Sequence, residues 1–308
     1  MDPNLEWLDH PAADGNHSSG EHVAPLFTSV CCGSDRSVEL LLAHGAHPDV
    51  ADSQDSPGKP AIAMAVLNRS PSVVEALLAH GANPDIPPGP VPPSGLGIYR
   101  LFHNALGGEV DQWVHGIIFN PKQPVHDLVS TATVMFRHGA SPDPWLNTVL
   151  FQLRLWPSEV SLAAELRAEV AASPDSGQVR KVADGIRASF PPVAGLLDVA
   201  LRYRDAPPCE ASTAPEELQY CLPRSLHSAD AELNARYAQL LLRAQGTEGA
   251  ALRSGQRNWI QQRDKSCGVK EITGVTEAGW LAYVLLDIPK AQCVLQHTRE
   301  RVTALQTR

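Results

Sequence analysis

The chain has 308 residues, 43% hydrophobic and 19% charged, with 26 prolines and a formal charge of −9. That length allows one to three domains with substantial cores, and the proline content calls for many turns or for linkers. Negative charge without a dense basic stripe excludes a nucleic-acid binder, and no apolar run is long enough to span a bilayer. The first ten residues carry neither a basic n-region nor an apolar h-region. They leave two expectations: a cytoplasmic protein, or a chain whose export signal is not part of the sequence.

The first two-thirds repeat themselves. Leu41-Leu42-Ala43-His44-Gly45-Ala46-His47-Pro48-Asp49 recurs as Leu77-Leu78-Ala79-His80-Gly81-Ala82-Asn83-Pro84-Asp85. A third copy, Met135-Phe136-Arg137-His138-Gly139-Ala140-Ser141-Pro142-Asp143, follows an insertion that begins with the proline-rich stretch 87–97. The paired apolar residues end an amphipathic helix, and the glycine sits where a helix C-cap needs a left-handed backbone. Pro-Asp then starts an extended segment. A shorter helix precedes each unit, opened by Pro25 in the first and Pro60 in the second. Leu101 to Ala105 stands in this place for the third. The repeated histidines do not suit a metal. Equivalent positions on stacked helices lie about 8–10 Å apart, too far to share one ion at Zn–N distances of about 2 Å. They read as helix-end groups beside the C-terminal dipole. Cys31 and Cys32 read as helix-packing surface rather than a reactive pair.

These closing segments resemble the ankyrin repeat, whose units open with Thr-Pro-Leu-His-x-Ala and close with Leu-Leu-x-x-Gly-Ala over about 33 residues. The closing motif matches three times. The opening matches loosely, with Phe27 and Ala63 where histidine is usual. The resemblance covers about residues 20–170, with a degenerate fourth unit over 142–170. Helices are expected over 160–172, 178–190 and 193–203. They cap the open end of a solenoid, as solubility requires. Pro207-Pro208 marks a boundary between 1–206 and 207–308.

Cys209, Cys221, Cys267 and Cys293 crowd into the last hundred residues. That pattern reads as a disulfide framework and an oxidising compartment, the periplasm or cell envelope. The alternative is four buried thiols in a cytoplasmic protein. Helices are expected over 229–244, with Ser228 as N-cap, over 250–267, and from Pro289 onward. Leu252, Gln256, Trp259, Arg263 and Cys267 fall on one helical stripe. Trp259 reads first as a core aromatic, and Arg263 as the partner of Asp230 or Asp264. Glu216-Glu217 after Pro215 reads as a solvated helix start.

The order of Cys209, Cys221, Asp230, Leu233-Asn234, Tyr237, Gln256-Arg257, Trp259, Arg263-Asp264, Cys267, Cys293 and Arg301 resembles the bacterial lysozyme-inhibitor LprI-like family. The resemblance implies a small exported or lipid-anchored envelope protein that inhibits lysozyme in some members. It points to Asp230, Asn234, Tyr237, Gln256, Trp259, Arg263 and Asp264 as structural or partner-binding residues. Among the three possible pairings of four cysteines, Cys209–Cys221 and Cys267–Cys293 are favoured. The first closes a short loop turned by Pro215, and the second ties the end of the Trp259 helix to the start of the last helix.

The sequence thus predicts an all-α protein: an ankyrin-repeat solenoid followed by a small disulfide-stapled helical domain. No Ser-His-Asp or Cys-His arrangement has supporting spacing, so the expectation is a non-enzymatic binding protein without cofactor or metal. Its expected partner is a protein, a lysozyme-like hydrolase or an antibacterial toxin, and the chain then acts as an immunity-type inhibitor. An acidic chain suits a basic partner of that kind. A cytoplasmic scaffold that binds another protein through its repeats is the alternative.

Overall fold

In the computed structural model, which describes residues 7–8, 22–32, 34–50, 60–68, 70–85, 128–155, 175–209, 214–244, 246–270 and 275–306, the chain is all-α. Among the described residues, twelve helices are joined by one short antiparallel ribbon that pairs β1 (Trp7–Leu8) with β2 (His22–Val23).

Helices α1 (Pro25–Cys32) and α2 (Asp35–Ala43) form one hairpin, and α3 (Ala61–Leu67) and α4 (Pro71–Ala79) form the next. α1 packs on α3, α2 on α4, and α4 on α5 (Leu128–Arg137), so equivalent helices stack. Each repeated closing segment ends its helix by the same hydrogen bond. Ala46 N–H donates to the Leu41 carbonyl, Ala82 to Leu77 and Ala140 to Met135, each at 3.0 Å. This wrap-around bond needs a left-handed residue, and Gly45, Gly81 and Gly139 supply φ of 89°, 87° and 97°. A second device ties unit to unit. The Asp49 carboxylate accepts the Asn83 backbone N–H at 2.7 Å, and Asp85 accepts that of Ser141 at 3.1 Å. The aspartate of each Pro-Asp therefore holds the turn of the following unit. Beneath the turns a continuous core runs through Leu26, Ile62, Leu77, Leu78, Met135 and Phe136.

The Pro-Asp pairs do not start the expected extended segment: Pro48-Asp49 and Pro84-Asp85 lie in turns, and the third copy departs furthest. Pro142 and Asp143 do not start an extended segment but the first turn of α6 (Pro142–Leu155). Pro at the helix start costs no hydrogen bond, and Asp143 there complements the dipole. The expected helix over 160–172, the insertion from 87 and the Leu101–Ala105 opening lie outside the described residues. α7 (Ser176–Ile186) starts with a capping box of Asp175 and Gln178. α8 (Pro191–Arg204) packs against α5, α6 and α7 and extends the core through Phe136, Trp145 and Tyr203, whose rings meet at 5.1 and 5.7 Å. Cys31 is exposed, not packed between helices as expected.

The remaining helices are α9 (Pro215–Arg243), α10 (Thr247–Ser266), α11 (Glu277–Val284) and α12 (Ile288–Gln306). α9 corrects the expected start at 229. Ser228 is no N-cap but an interior residue, and Pro223 lies inside the helix. The apolar stripe Leu218, Leu222, Leu226, Ala229, Leu233 is buried without a break across both. That burial outweighs the lost hydrogen bond at Pro223. α9 and α12 pack along each other. Two disulfides staple the module in the favoured pairing, Cys209–Cys221 and Cys267–Cys293, with Cα separations of 5.3 and 5.6 Å. Each contributes about 2–4 kcal/mol by restricting the unfolded chain. No described helix is long and apolar enough to cross a membrane.

α11 was not expected from the sequence, and it is what seats the module on the repeats. It packs on α4 as well as α12, and its Ala282 belongs to the repeat core. Gly279 lies against Gly81 so closely that a Cβ there would stand 1.9 Å from the Gly81 carbonyl oxygen. His138 Nδ1 donates to the Ala282 carbonyl at 3.0 Å.

Candidate functional site

The histidines before the turn glycines divide by task. His44 and His80 cap their own helices, bonding the Leu40 and Ala76 carbonyls at 2.8 and 2.9 Å, as expected for helix-end groups. His138 is fully buried and reaches across to α11. No feature of the motif distinguishes it, because its partner is 144 residues away.

A groove of about 700 Å³ lies in the C-terminal module between α9, α10 and α11. Asp230 and Asn234 come from α9, one turn apart. α10 contributes Gln256, Trp259 and Arg263 from the stripe that the sequence singled out, with Asp264 of the expected site and Ile260, which was not among the expected residues. α11 contributes Glu277 and Trp280, which sequence reasoning missed. Tyr237 is not among the lining residues. It packs behind them on the small cluster of Leu233, Val302 and Leu305, together with Trp259 and Leu240.

The groove is organised around a buried arginine. Arg263 is 6% exposed and pairs with Asp264 through Nε and an Nη, both at 2.8 Å. Its guanidinium lies 5.0 Å from the Trp259 ring centre and 4.5 Å from that of Trp280. Two indoles thus flank one cation, a contact worth about 1–2 kcal/mol where water is excluded. Arg301 of α12 lies 5.6 Å from the Trp259 ring and donates twice to Gln256 Oε1 at 3.1 Å. Arg301 belonged to the resemblance but not to the expected site, and it holds Gln256 in place. Trp259 is accordingly both a core aromatic and a wall of the groove.

At the α9–α11 end, the Asn234 amide donates to Asp230 and to Glu277 at 3.0 Å each. Burial, then a hydrogen bond and repulsion from the Glu277 carboxyl, push Asp230 up to about 7, against the pull of Arg263 and Asn234. Asp230 and Glu277 therefore share a proton near neutral pH. Glu277 stands in the first turn of α11, and its side chain hydrogen-bonds the Asp230 carboxyl. The floor of the groove is aromatic and aliphatic, its walls carry carboxyl groups, and Ile260 is 38% exposed at its edge. Such a surface suits an inserted side chain with an apolar stem and a basic head.

Against known proteins, residues 209–305 match the family model described as "Lysozyme inhibitor LprI". No ankyrin-repeat family model matches the chain, and neither a curated protein nor a solved structure matches it. The similarity to the LprI lysozyme inhibitors is thus confined to the disulfide-stapled module that contains the groove.

Proposed function

We propose that the chain is a non-catalytic, protein-binding inhibitor whose C-terminal groove engages a lysozyme-like or other wall-cleaving enzyme. The groove carries this reading. It joins exposed Ile260 and the Trp259 and Trp280 rings to the carboxyls of Asp230, Glu277 and Asp264. Aromatic anchors of that kind dominate binding energy at interfaces, and the acidic chain of charge −9 attracts a basic enzyme at long range. The similarity of residues 209–305 to lysozyme inhibitors supports the same class of target. Two disulfides favour an oxidising compartment such as the periplasm. A protein that protects its own cell from an antibacterial toxin fits this reading.

The test is a wall-hydrolysis assay with the oxidised full chain against lysozymes of several classes, with calorimetry for binding. Inhibition at a one-to-one ratio is expected with at least one of them. Ile260→Glu, at an exposed position, should weaken it about tenfold or more, as loss of an interface contact worth over 1 kcal/mol does. Absence of both binding and inhibition across the panel would overturn the reading.

A second reading has its own observation. Because α9 and α11 pack on α5 and α4, the module also covers one flank of the repeats, as a terminal cap does. In that case the repeats bind the partner and the groove is idle. Unchanged binding of a captured partner by the Ile260→Glu chain would favour this scaffold.

A further inference from the structure

We propose that Cys267, Cys293 and His297 form a zinc-type metal site when the Cys267–Cys293 disulfide is reduced. The two sulfurs and an imidazole nitrogen of His297 all lie within 4.8 Å of one another. Tetrahedral zinc with bonds of about 2.3 Å to sulfur and about 2.0 Å to nitrogen sets such ligands roughly 3.5–3.8 Å apart. Opening the disulfide and a small inward turn of His297 reach that spacing. The backbone is already in place, since the cysteine Cα atoms are 5.6 Å apart. Cys293 and His297 stand one turn apart on α12, the spacing at which two side chains of a helix share a face. Among the described residues no other group of three metal-ligating side chains converges in this way.

The surroundings favour a cation. Cys267 is buried and closes α10, so its sulfur is held out of bulk water beside the other two ligands. Glu300 lies 3.6 Å from His297 Nδ1, and a carboxylate on an imidazole commonly orients a ligating histidine. The chemistry balances with a dithiol as reductant. The dithiol passes two electrons and two protons to the disulfide and becomes a disulfide itself, leaving two cysteine thiols. A divalent zinc ion then displaces both thiol protons and binds two thiolates and one neutral imidazole, with water as the fourth ligand. The module would thus have two alternative staples at one place, a disulfide in an oxidising compartment and a metal in a reducing one.

The experiment uses the full chain in a Cys31→Ser/Cys32→Ser background, reduced under anaerobic conditions and titrated with Co²⁺ and then Zn²⁺. One equivalent of cobalt should give a thiolate-to-metal charge-transfer band that zinc abolishes. The oxidised chain should give none. Cys209→Ser/Cys221→Ser should keep the band. Cys267→Ser/Cys293→Ser should lose it, and His297→Ala should weaken zinc binding by more than the roughly 10–100-fold that loss of an outer-shell partner costs. Zinc should also restore helicity or raise the melting temperature of the reduced protein. The proposal is overturned if the reduced chain takes up no metal, if binding survives loss of Cys267 and Cys293, or if His297→Ala binds zinc as tightly.

Discussion

At the scale of single residues, the Asp230–Glu277 pair gives the groove a pH dependence of known sign. Asp230 titrates at about 7 in the folded protein, against 3.8 as its ordinary value. The folded state therefore holds a proton that the unfolded chain releases, and stability is full below the ordinary value and falls as pH rises from about 4 to 7. The groups that face Asp230 are Glu277 from α11, Arg263 from α10 and Asn234 from its own helix. Asp230→Asn keeps a neutral side chain of the same shape. It should raise stability at pH 8 by about 1–2 kcal/mol, a figure discounted for the partial exposure of the pair. At pH 4 it should change little. Melting temperatures of both proteins across pH 4–8 check this, and parallel curves would contradict the shared proton. The α10 stripe was legible in the sequence because its members lie one helical turn apart, whereas Asp230 and Asn234 were singled out by the family resemblance. Glu277 was not, because it stands 43 residues from Asn234 on a helix that the sequence did not announce.

Among the elements, the repeat hairpins were legible and α11 was not, for one physical reason. The closing motif makes its hydrogen bonds within itself, Ala46 to Leu41 and its two counterparts, so local sequence suffices to read it. The eight residues of α11, EAGWLAYV, show no polar face, because one side meets the repeats and the other the module. A short helix buried on several sides has no period to detect. Its place depends on Gly279, whose missing side chain lets α11 rest on the Gly81 carbonyl. A Cβ there would meet that oxygen at 1.9 Å and its carbon at 2.8 Å, both backbone atoms. Gly279→Ala should therefore destabilise the protein by about 1–3 kcal/mol or more, the cost of forcing extra volume into a packed contact. Gly45→Ala is the control. A Cβ there meets nothing within 4 Å, and its cost is the left-handed backbone alone, roughly 1–2 kcal/mol. Chemical denaturation of both variants measures the two losses. Only Gly279→Ala should also increase hydrogen exchange in α11, and equal exchange in the two would show that α11 is not held by this contact.

On the scale of the whole molecule, the boundary at 206/207 is a proposal that truncation tests. The repeats have their own core, from Leu26 through Tyr203, and two disulfides close within the module, so residues 1–206 should fold alone. They should do so at a cost, because Ala282 leaves that core and the Gly81 turn loses its cover from Val275. Burial of two or three small aliphatic side chains sets the loss at roughly 2–5 kcal/mol. His138 makes the comparison specific to the junction. Burial pushes its imidazole below the ordinary 6.5, opposed by the Ala282 carbonyl and by Glu75 and reinforced by Arg137. The unfolded chain then takes up the proton first, so stability is full above about 6.5 and is lost as pH falls below it. Without the module, His138 loses the Ala282 carbonyl and the helix that covers it. The truncated chain should therefore melt at a lower temperature at pH 7.5 yet lose less stability than the full chain on acidification to pH 5.5. His138→Asn in the full chain, which keeps an amide donor near the Nδ1 position without a titrating ring, should reduce the same acid loss. Scanning calorimetry of the three proteins at the two pH values decides the matter. An unfolded 1–206 fragment would mean that repeats and module form one cooperative unit, and an acid loss unchanged by either alteration would remove His138 from the junction.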